Sequence, residues 1–359
     1  MKELFLLGQD VVYLNHGSFG ACPRPVFDTY QRFQRELERQ PVEFLARERR
    51  LPDLLERARL RLSEYVGSPP GDLVFATNAS SALNTAIRSL ELQPDDEVLL
   101  GDAEYGGLDI LWEWVATRTG ATVKRVPFDG LVPGPRTRIV FCSHVEWTSG
   151  RVNDVAPVCS AARAAGATSI VDGAHAPGQI RVDVVAAEAD VYAGNCHKWL
   201  CAPKGSGFLY VRPELQALIE PPVVSWDYTD DAPFAERHRW QGTRDPAAYL
   251  SVPAAIDFQA EHDWPAVRER CHALLERFRD TSGLEPMTDR FVQMLGFRLP
   301  VDDGPAFQRE LYERHRIEVP VFDVGGTPVM RVSAQAYNDE GDLDALADAI
   351  RLCAATRPR

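Results

Sequence analysis

Two stretches decide how this chain is read: VDGAHAPG, residues 171–178, and GNCHKWLCAPKGSGFLYV, residues 194–211. Each continues a short apolar run, at 168–172 and 191–194, with the length of a buried strand. The first run ends on a carboxylate, Asp172, followed by Gly173 and His175. The second ends just before Asn195, His197 and Lys198, ahead of the glycine-rich segment 203–207. In open α/β sheets ligands collect beyond the carboxyl ends of the strands. Each residue also has an ordinary explanation. An Asp after a strand is usually a turn former or cap, a lone Lys is a solvated charge, and a His beside an aromatic is a packed side chain. The combination at two successive strand ends is what points to chemistry.

Outward from this centre, further strand-like runs lie at 73–77, 97–101, 122–126, 138–143 and 207–211, with helical patterns at 80–92, 107–119 and 156–165. Apolar strands spaced by helices mean a mostly parallel sheet covered on both faces. Two long helical patterns, 24–39 and 47–66, precede this block. After Asp245 the texture changes to a helix at 264–281, a strand at 291–299, a helix at 305–315, strands at 317–322 and 329–333, and a last helix at 343–354. The expected fold class is α/β, with the parallel sheet in a large domain over residues 20–245. A smaller α+β domain is expected from residues 1–19 and 246–359, about a hundred residues after the break.

The chain has 359 residues, 45% apolar and 25% charged, ordinary values for a globular protein of this size. Thirty-nine Lys and Arg against 52 Asp and Glu give a net charge of −13, which argues against non-specific binding to nucleic acid or anionic lipid. The N-terminal apolar run is confined to residues 4–7, shorter than the core of a secretory signal. No run approaches the roughly 18 apolar residues of a membrane span, so a cytoplasmic protein is expected. The cysteines Cys22, Cys142, Cys159, Cys196, Cys201, Cys271 and Cys353 are scattered and odd in number, which fits reduced thiols. Cys196, His197 and Cys201 lack a fourth ligand at zinc spacing, and no metal is expected. Neither G-x-G-x-x-G after an early strand nor G-x-x-x-x-G-K-[ST] occurs, which argues against a nucleotide enzyme.

The residue types at the two strand ends are those that pyridoxal 5′-phosphate (PLP) requires. Its ring is an electron sink only while the ring nitrogen stays protonated, so a buried carboxylate must face it. A lysine amine must hold it covalently and later shuttle a proton at the substrate's α-carbon. Donors must hold the phosphate. Asp172 and Lys198 supply the first two, and Asn195 and His197 part of the third.

The chain resembles the class V branch of fold-type I PLP enzymes, within it the isopenicillin-N-epimerase-like group. The segments that carry the resemblance are YLNHGSFGACP, NASSALNTAIRSL, DAEYGG, SHVEWTSG, VDGAHAPG, GNCHKWLCAPKGSGFLYV, QGTRDP and MRVSAQAYND, in the family's order from Tyr13 onward. The resemblance implies that Lys198 carries the cofactor, that Asp172 partners its ring nitrogen and that His175 contacts its ring hydroxyl. Ala79 and Ser80 match the phosphate loop, at a strand–helix junction that favours an anion; Ser80 is equally read as a plain cap. Asn195 and His197 match further phosphate contacts. Gly242 and Thr243 match a loop that reaches the phosphate from the partner subunit, which implies a homodimer with shared active sites. Tyr105 matches the side chain stacked on the cofactor ring. Asn15, His16 and Gly17 match the loop at the substrate mouth. Arg331 matches the arginine that binds the substrate carboxylate, a planar fork for a planar anion.

Two departures bear on the reaction. The stacking position, histidine in many cysteine desulfurases, is Tyr105, and residues 317–330 contain no cysteine, which argues against a persulfide relay. Trp147 stands where several relatives have a small or amide residue. By resemblance to enzymes of ergothioneine-type and lincosamide-type sulfur metabolism, the leading expectation is a cysteine-S-conjugate C–S lyase or a related sulfur-amino-acid reaction in a specialised pathway such as antibiotic biosynthesis. In that reading Lys198 is the base and Tyr105 an acid for the leaving group. Epimerisation, decarboxylation-coupled oxidative deamination and transamination stay open. So does a catalytically inactive PLP-fold scaffold, against which intact Lys198, Asp172 and Arg331 argue.

Overall fold

The structure, a computed structural model, describes Met1–Ala355. The chain forms two compact units. The larger comprises Pro25–Val145 and Asn153–Phe258. Its sheet has seven strands: β1 (Leu73–Ala76), β2 (Glu97–Gly101), β3 (Thr122–Val126), β4 (Thr137–Ser143), β5 (Thr168–Gly173), β6 (Val191–Asn195) and β7 (Gly207–Val211). Their order is β1-β7-β6-β5-β4-β2-β3. Neighbours from β6 across to β3 are parallel, and β7 alone runs against β6 and β1. Helices α1 (Arg24–Arg39), α2 (Arg50–Tyr65), α3 (Ala79–Ser89), α4 (Gly106–Thr119) and α5 (Ala156–Ala164) belong to this part of the chain.

The central strands β5, β6 and β7 are buried at nearly every position, as expected of strands with both faces covered. Leu83, Trp112, Phe141, Ile170, Val191 and Leu209 join one apolar cluster. At the edge, β3 reads TVKRV and is largely exposed; charged residues there discourage pairing with another chain. The helical pattern at 47–66 is observed as α2, and a short helix, Pro41–Leu45, that the pattern did not show precedes it. Residues 246–258 include a helix, Ala247–Leu250, whose Tyr249 stacks on Phe75 of β1 at 4.6 Å.

The smaller unit comprises Met1–Arg24, Glu146–Val152 and the chain from Gln259. Strands β8 (Glu285–Pro286), β9 (Met294–Arg298), β10 (Val321–Val324) and β11 (Thr327–Ser333) form an antiparallel sheet in the order β10-β11-β9-β8. Helices α6 (Trp264–Ser282), α7 (Gly304–His315) and α8 (Glu340–Ala355) complete it. Asp263 and Asp303 cap α6 and α7 by accepting from Ala266 and Ala306 N–H, the usual service of Asp at that position. The strand expected over 317–322 is broken. Ile317–Glu318 pairs with Val12–Tyr13, and β10 starts only at Val321. Pro320 lies in the gap and has no N–H for a ladder. Among the described residues no helix is long and apolar enough to cross a membrane.

The turn after β5 brings Gly178 against the backbone of Trp199. Its φ is +90°, and a Cβ there would lie 2.2 Å from the Trp199 carbonyl carbon and oxygen. Backbone cannot rotate away as a side chain can. Gly178→Ala is therefore expected to cost about 3 kcal/mol or more, the upper end of overpacking penalties, with the left-handed φ adding strain. Urea unfolding followed by circular dichroism measures this. A loss below about 1 kcal/mol, the lower end of that range, means the two backbones separate cheaply.

Candidate active site

The register of the sheet sets Asp172 beside Ser143 of β4 and Ala193 of β6, and Gly173 beside Gly194. Asp172 is buried, and its Oδ1 accepts from Ala174 N–H at 2.8 Å. Oδ2 accepts no hydrogen bond from the described residues. Burial pushes the carboxyl pKa up, while the Ala174 amide opposes that, as does Lys198 whenever its amine is protonated. Its two glycine neighbours make room for aromatic rings. A Cβ on Gly173 would lie 2.2 Å from the Tyr192 ring, and one on Gly194 would lie 2.5 Å from the Phe208 ring. The Tyr192 hydroxyl is 2.8 Å from His144 Nδ1. Burial holds His144 down to about 4, so that ring is neutral.

Lys198 follows β6 by three residues. Its Nζ is 3.0 Å from His175 Nε2, and His175 Nδ1 accepts from the Trp199 indole N–H at 3.2 Å. The His175 carbonyl accepts from Gln179 Nε2 at 2.8 Å, which fixes the loop behind the ring. The sequence-predicted Asp172, His175 and Lys198 thus share one locality at the ends of β5 and β6.

The start of α3 adjoins it. Asn78 caps the helix by accepting from Ser81 N–H, and Asn195 Oδ1 accepts from Ala79 N–H at 2.8 Å. Ser80 is exposed and its N–H has no acceptor among the described residues, so that amide faces outward at the positive end of a helix. His197 Nδ1 donates to the Ser206 carbonyl at 2.9 Å, and burial holds the ring down to about 4. Its proton therefore sits on Nδ1 at neutral pH. Tyr105 is the residue before α4 and is 43% exposed. The adjacent Glu104 is buried and accepts from Ser143 N–H at 3.0 Å and from the Ser143 hydroxyl, tying the Tyr105 loop to the end of β4. Gly242 has a φ of +88°, and Thr243 is exposed and makes no hydrogen bond within the described residues.

The second group lies wholly in the smaller unit. Arg331 of β11 is 2% exposed. Nη1 donates to the Trp147 carbonyl at 2.6 Å, and Nη2 to Ser18 Oγ at 2.9 Å and Asn15 Oδ1 at 3.5 Å. Nε is buried without an acceptor. Burial pulls the guanidinium down to about 10, still cationic at neutral pH. No carboxylate lies within ion-pair distance of it among the described residues. Gly17 packs against this group, and a Cβ there would meet the Arg331 Cζ at 3.3 Å and the Met294 sulfur at 2.8 Å. His16 is fully buried, with Nδ1 at 3.0 Å from the Tyr337 hydroxyl and Nε2 at 3.2 Å from Gln335 Nε2. It anchors the loop from inside the unit.

Reasoning from sequence did not find Glu104, Ser18 or the indole of Trp199. All three lie inside segments that sequence reading singled out, yet their partners could be found only in three dimensions. The donor set fits PLP. A buried carboxylate has an uncommitted oxygen, an amine touches an imidazole, and a helix amide lacks an acceptor.

A mostly parallel sheet with Asp172 at the end of one strand, His175 just past it and Lys198 past the next is the arrangement of a fold-type I PLP enzyme. Residues 12–287 match the family described as Aminotransferase class-V. The isopenicillin N epimerase of Amycolatopsis lactamdurans is 39% identical, with 98% of this chain and 97% of that protein covered. An L-cysteine desulfhydrase of Arabidopsis thaliana is 26% identical over 95% of this chain and 87% of that one. The solved structure of a C-DES variant with glycine covalently linked to its PLP cofactor superposes with a TM-score of 0.83 at 22% identity, covering 95% of this chain and 96% of that one. The chain belongs to the class V aminotransferase family and is a PLP-dependent enzyme.

Proposed function

We propose that the enzyme moves the α-proton of an amino-acid substrate bearing a bulky appendage, with epimerisation at Cα as the outcome. The observation that carries the proton step is the Lys198 amine held against His175 beside the buried Asp172. Epimerisation comes first because the 39% identical relative covers nearly the whole chain. Elimination of a sulfur group from a cysteine conjugate is the second reading, favoured by the desulfhydrase relative and by the absence of a cysteine at 317–330 for a persulfide relay. Both readings begin with the same proton.

When bound, PLP supplies an electron sink that acidifies the substrate's α-hydrogen. In this reading Lys198 holds the cofactor and then carries the proton at Cα. Asp172 would keep the ring nitrogen charged and would itself stay ionised beside that charge despite its burial. His175 would face the ring hydroxyl. Ala79, Ser80, Asn195 and His197 build the phosphate end, with the Ser80 amide and the helix dipole as its clearest donors. Tyr105 would stack on the ring and is the candidate acid for a leaving group. Arg331, set by Asn15 and given room by Gly17, takes the substrate carboxylate; His16 holds that loop.

We also assign the homodimer to this enzyme, with Gly242 and Thr243 of the partner subunit at the phosphate. Val42, Trp226 and Trp240 line one depression on the larger unit, and Val42 and Trp226 are 74% and 65% exposed, which fits a surface covered by a second copy. Light scattering should return twice the 40.0 kDa chain mass, and a monomer at micromolar concentration removes the shared site.

Offered amino acids and cysteine conjugates in deuterated buffer, the enzyme should place deuterium at Cα and lose stereochemical purity there. Release of a keto acid with the sulfur fragment would instead establish the lyase. Borohydride should fix the cofactor on Lys198, and Lys198→Ala should lower kcat by orders of magnitude; a cofactor fixed elsewhere overturns the assignment. Arg331→Ala should raise KM by an amount equivalent to about 2–5 kcal/mol, with cofactor retention nearly unchanged. An unchanged KM places the carboxylate elsewhere.

A further inference from the structure

We infer that Trp199 is a positioning residue that fixes the tautomer of His175, so that the Nε2–H of His175 is aimed at the Lys198 amine. The inference rests on the reading of Lys198 as the cofactor-carrying lysine. An indole nitrogen can only donate. Trp199 Nε1 lies 3.2 Å from His175 Nδ1 and donates to it, so Nδ1 carries no hydrogen. A neutral imidazole then has its hydrogen on Nε2, and Nε2 is 3.0 Å from Lys198 Nζ. That contact is a hydrogen bond only if Nζ offers a lone pair, which an ammonium lacks and a neutral amine has. The opposite arrangement, an ammonium donating to Nε2, would put the imidazole hydrogen on Nδ1. Two hydrogens would then share the 3.2 Å contact with the indole.

The geometry leaves little room for the ring to turn over. Trp199 is fully buried and His175 is 4% exposed. Gln179 holds the His175 carbonyl at 2.8 Å, and Gly178 admits the Trp199 backbone at a distance that no Cβ would allow. Lys198 and Trp199 are neighbours in sequence, so one stretch of backbone carries both ends of the relay from indole through imidazole to amine.

A neutral Nζ is what capture of an aldehyde requires. Its lone pair forms the carbon–nitrogen bond, the carbonyl oxygen leaves as water with two hydrogens, and no oxidant or reductant enters. Once Nζ is engaged, Nε2–H remains a donor suited to an ionised oxygen of the ligand, where an Nδ1–H tautomer would present a lone pair.

The test is the nitrogen-15 spectrum of the histidine rings in full-length protein before PLP is added, with His175 identified by its loss in His175→Gln. The expected wild-type pattern is a protonated Nε2 and a bare Nδ1, and Trp199→Phe should shift the ring toward Nδ1–H. Trp199→Phe should also capture PLP about three- to tenfold more slowly at fixed pH, the factor one neutral hydrogen bond carries, read from the growth of visible absorbance. A wild-type ring protonated on Nδ1, which needs no variant to observe, overturns the inference. So does a Trp199→Phe protein with an unchanged tautomer. Borohydride fixing of PLP away from Lys198 in wild type overturns the parent reading instead, while the ring spectrum still decides the Trp199–His175 relation.

Discussion

A charge taken out of water must find a partner or give up its charge, at a cost of several kcal/mol per ion. Asp172 and Arg331 are two such groups whose shells, among the described residues, are incomplete. Asp172 has one amide donor, Ala174 N–H, and no hydrogen bond at its second oxygen among the described residues. Arg331 has three neutral acceptors and a bare Nε. Neither can relax by rotating out to solvent, because each sits on a strand paired on both sides. Asp172 is flanked by Ser143 and Ala193, and Arg331 lies on β11 between β10 and β9. The sheets hold these groups against their own solvation preference. A ligand with a cationic ring nitrogen and a substrate with a carboxylate would relieve one each.

Rigidity at the strand ends comes from glycines that let bulky groups close in. Tyr192 occupies the space above Gly173, Phe208 that above Gly194, and the Trp199 backbone that above Gly178. The result is a water-poor shell in which a hydrogen bond is stronger than at the surface. Burial in that shell explains why His144 and His197 are both held down to about 4. Their neutral rings leave the Lys198–His175 pair without a competing imidazolium. Glu104, fastened to Ser143, extends the same rigidity to the loop that carries Tyr105.

Much of the larger unit was legible in the sequence because its strands are short apolar runs closed by glycine or polar turns. The strands at 97–101, 122–126 and 207–211 were read with their observed bounds. The run at 317–322 misled because apolar content hides a proline's missing N–H, whereas the helix expected at 47–66 is present as Arg50–Tyr65. At the site, residue types at strand ends were readable; pairings were not. Ser18 meets Arg331 across 313 positions, and Glu104 meets Ser143 across 39. No local pattern encodes contacts of that separation. Trp199 belongs to the HKW segment, but its indole acquires a role only with His175 beside it.

The choice of reaction must be made by groups other than the shared ones. Holding the cofactor, keeping its ring nitrogen charged and moving a proton at Cα are demands common to an epimerase and a C–S lyase, so the Asp172–His175–Lys198 group cannot distinguish them. The protein chooses by which bond it holds perpendicular to the cofactor ring, and in the proposed reading that orientation is set by the grip on the substrate carboxylate. Here the grip has a shape of its own. Trp147 meets Phe322 edge to face at 4.7 Å, its carbonyl takes Nη1 of Arg331, and the guanidinium lies 5.1 Å over the Phe322 ring. One face of the fork is thus occupied by an aromatic ring and Nη1 is already committed, so a carboxylate meets the arginine from a restricted direction. The difference between reactions on this scaffold is accordingly to be sought around Arg331, in packing, rather than in the shared acid–base groups.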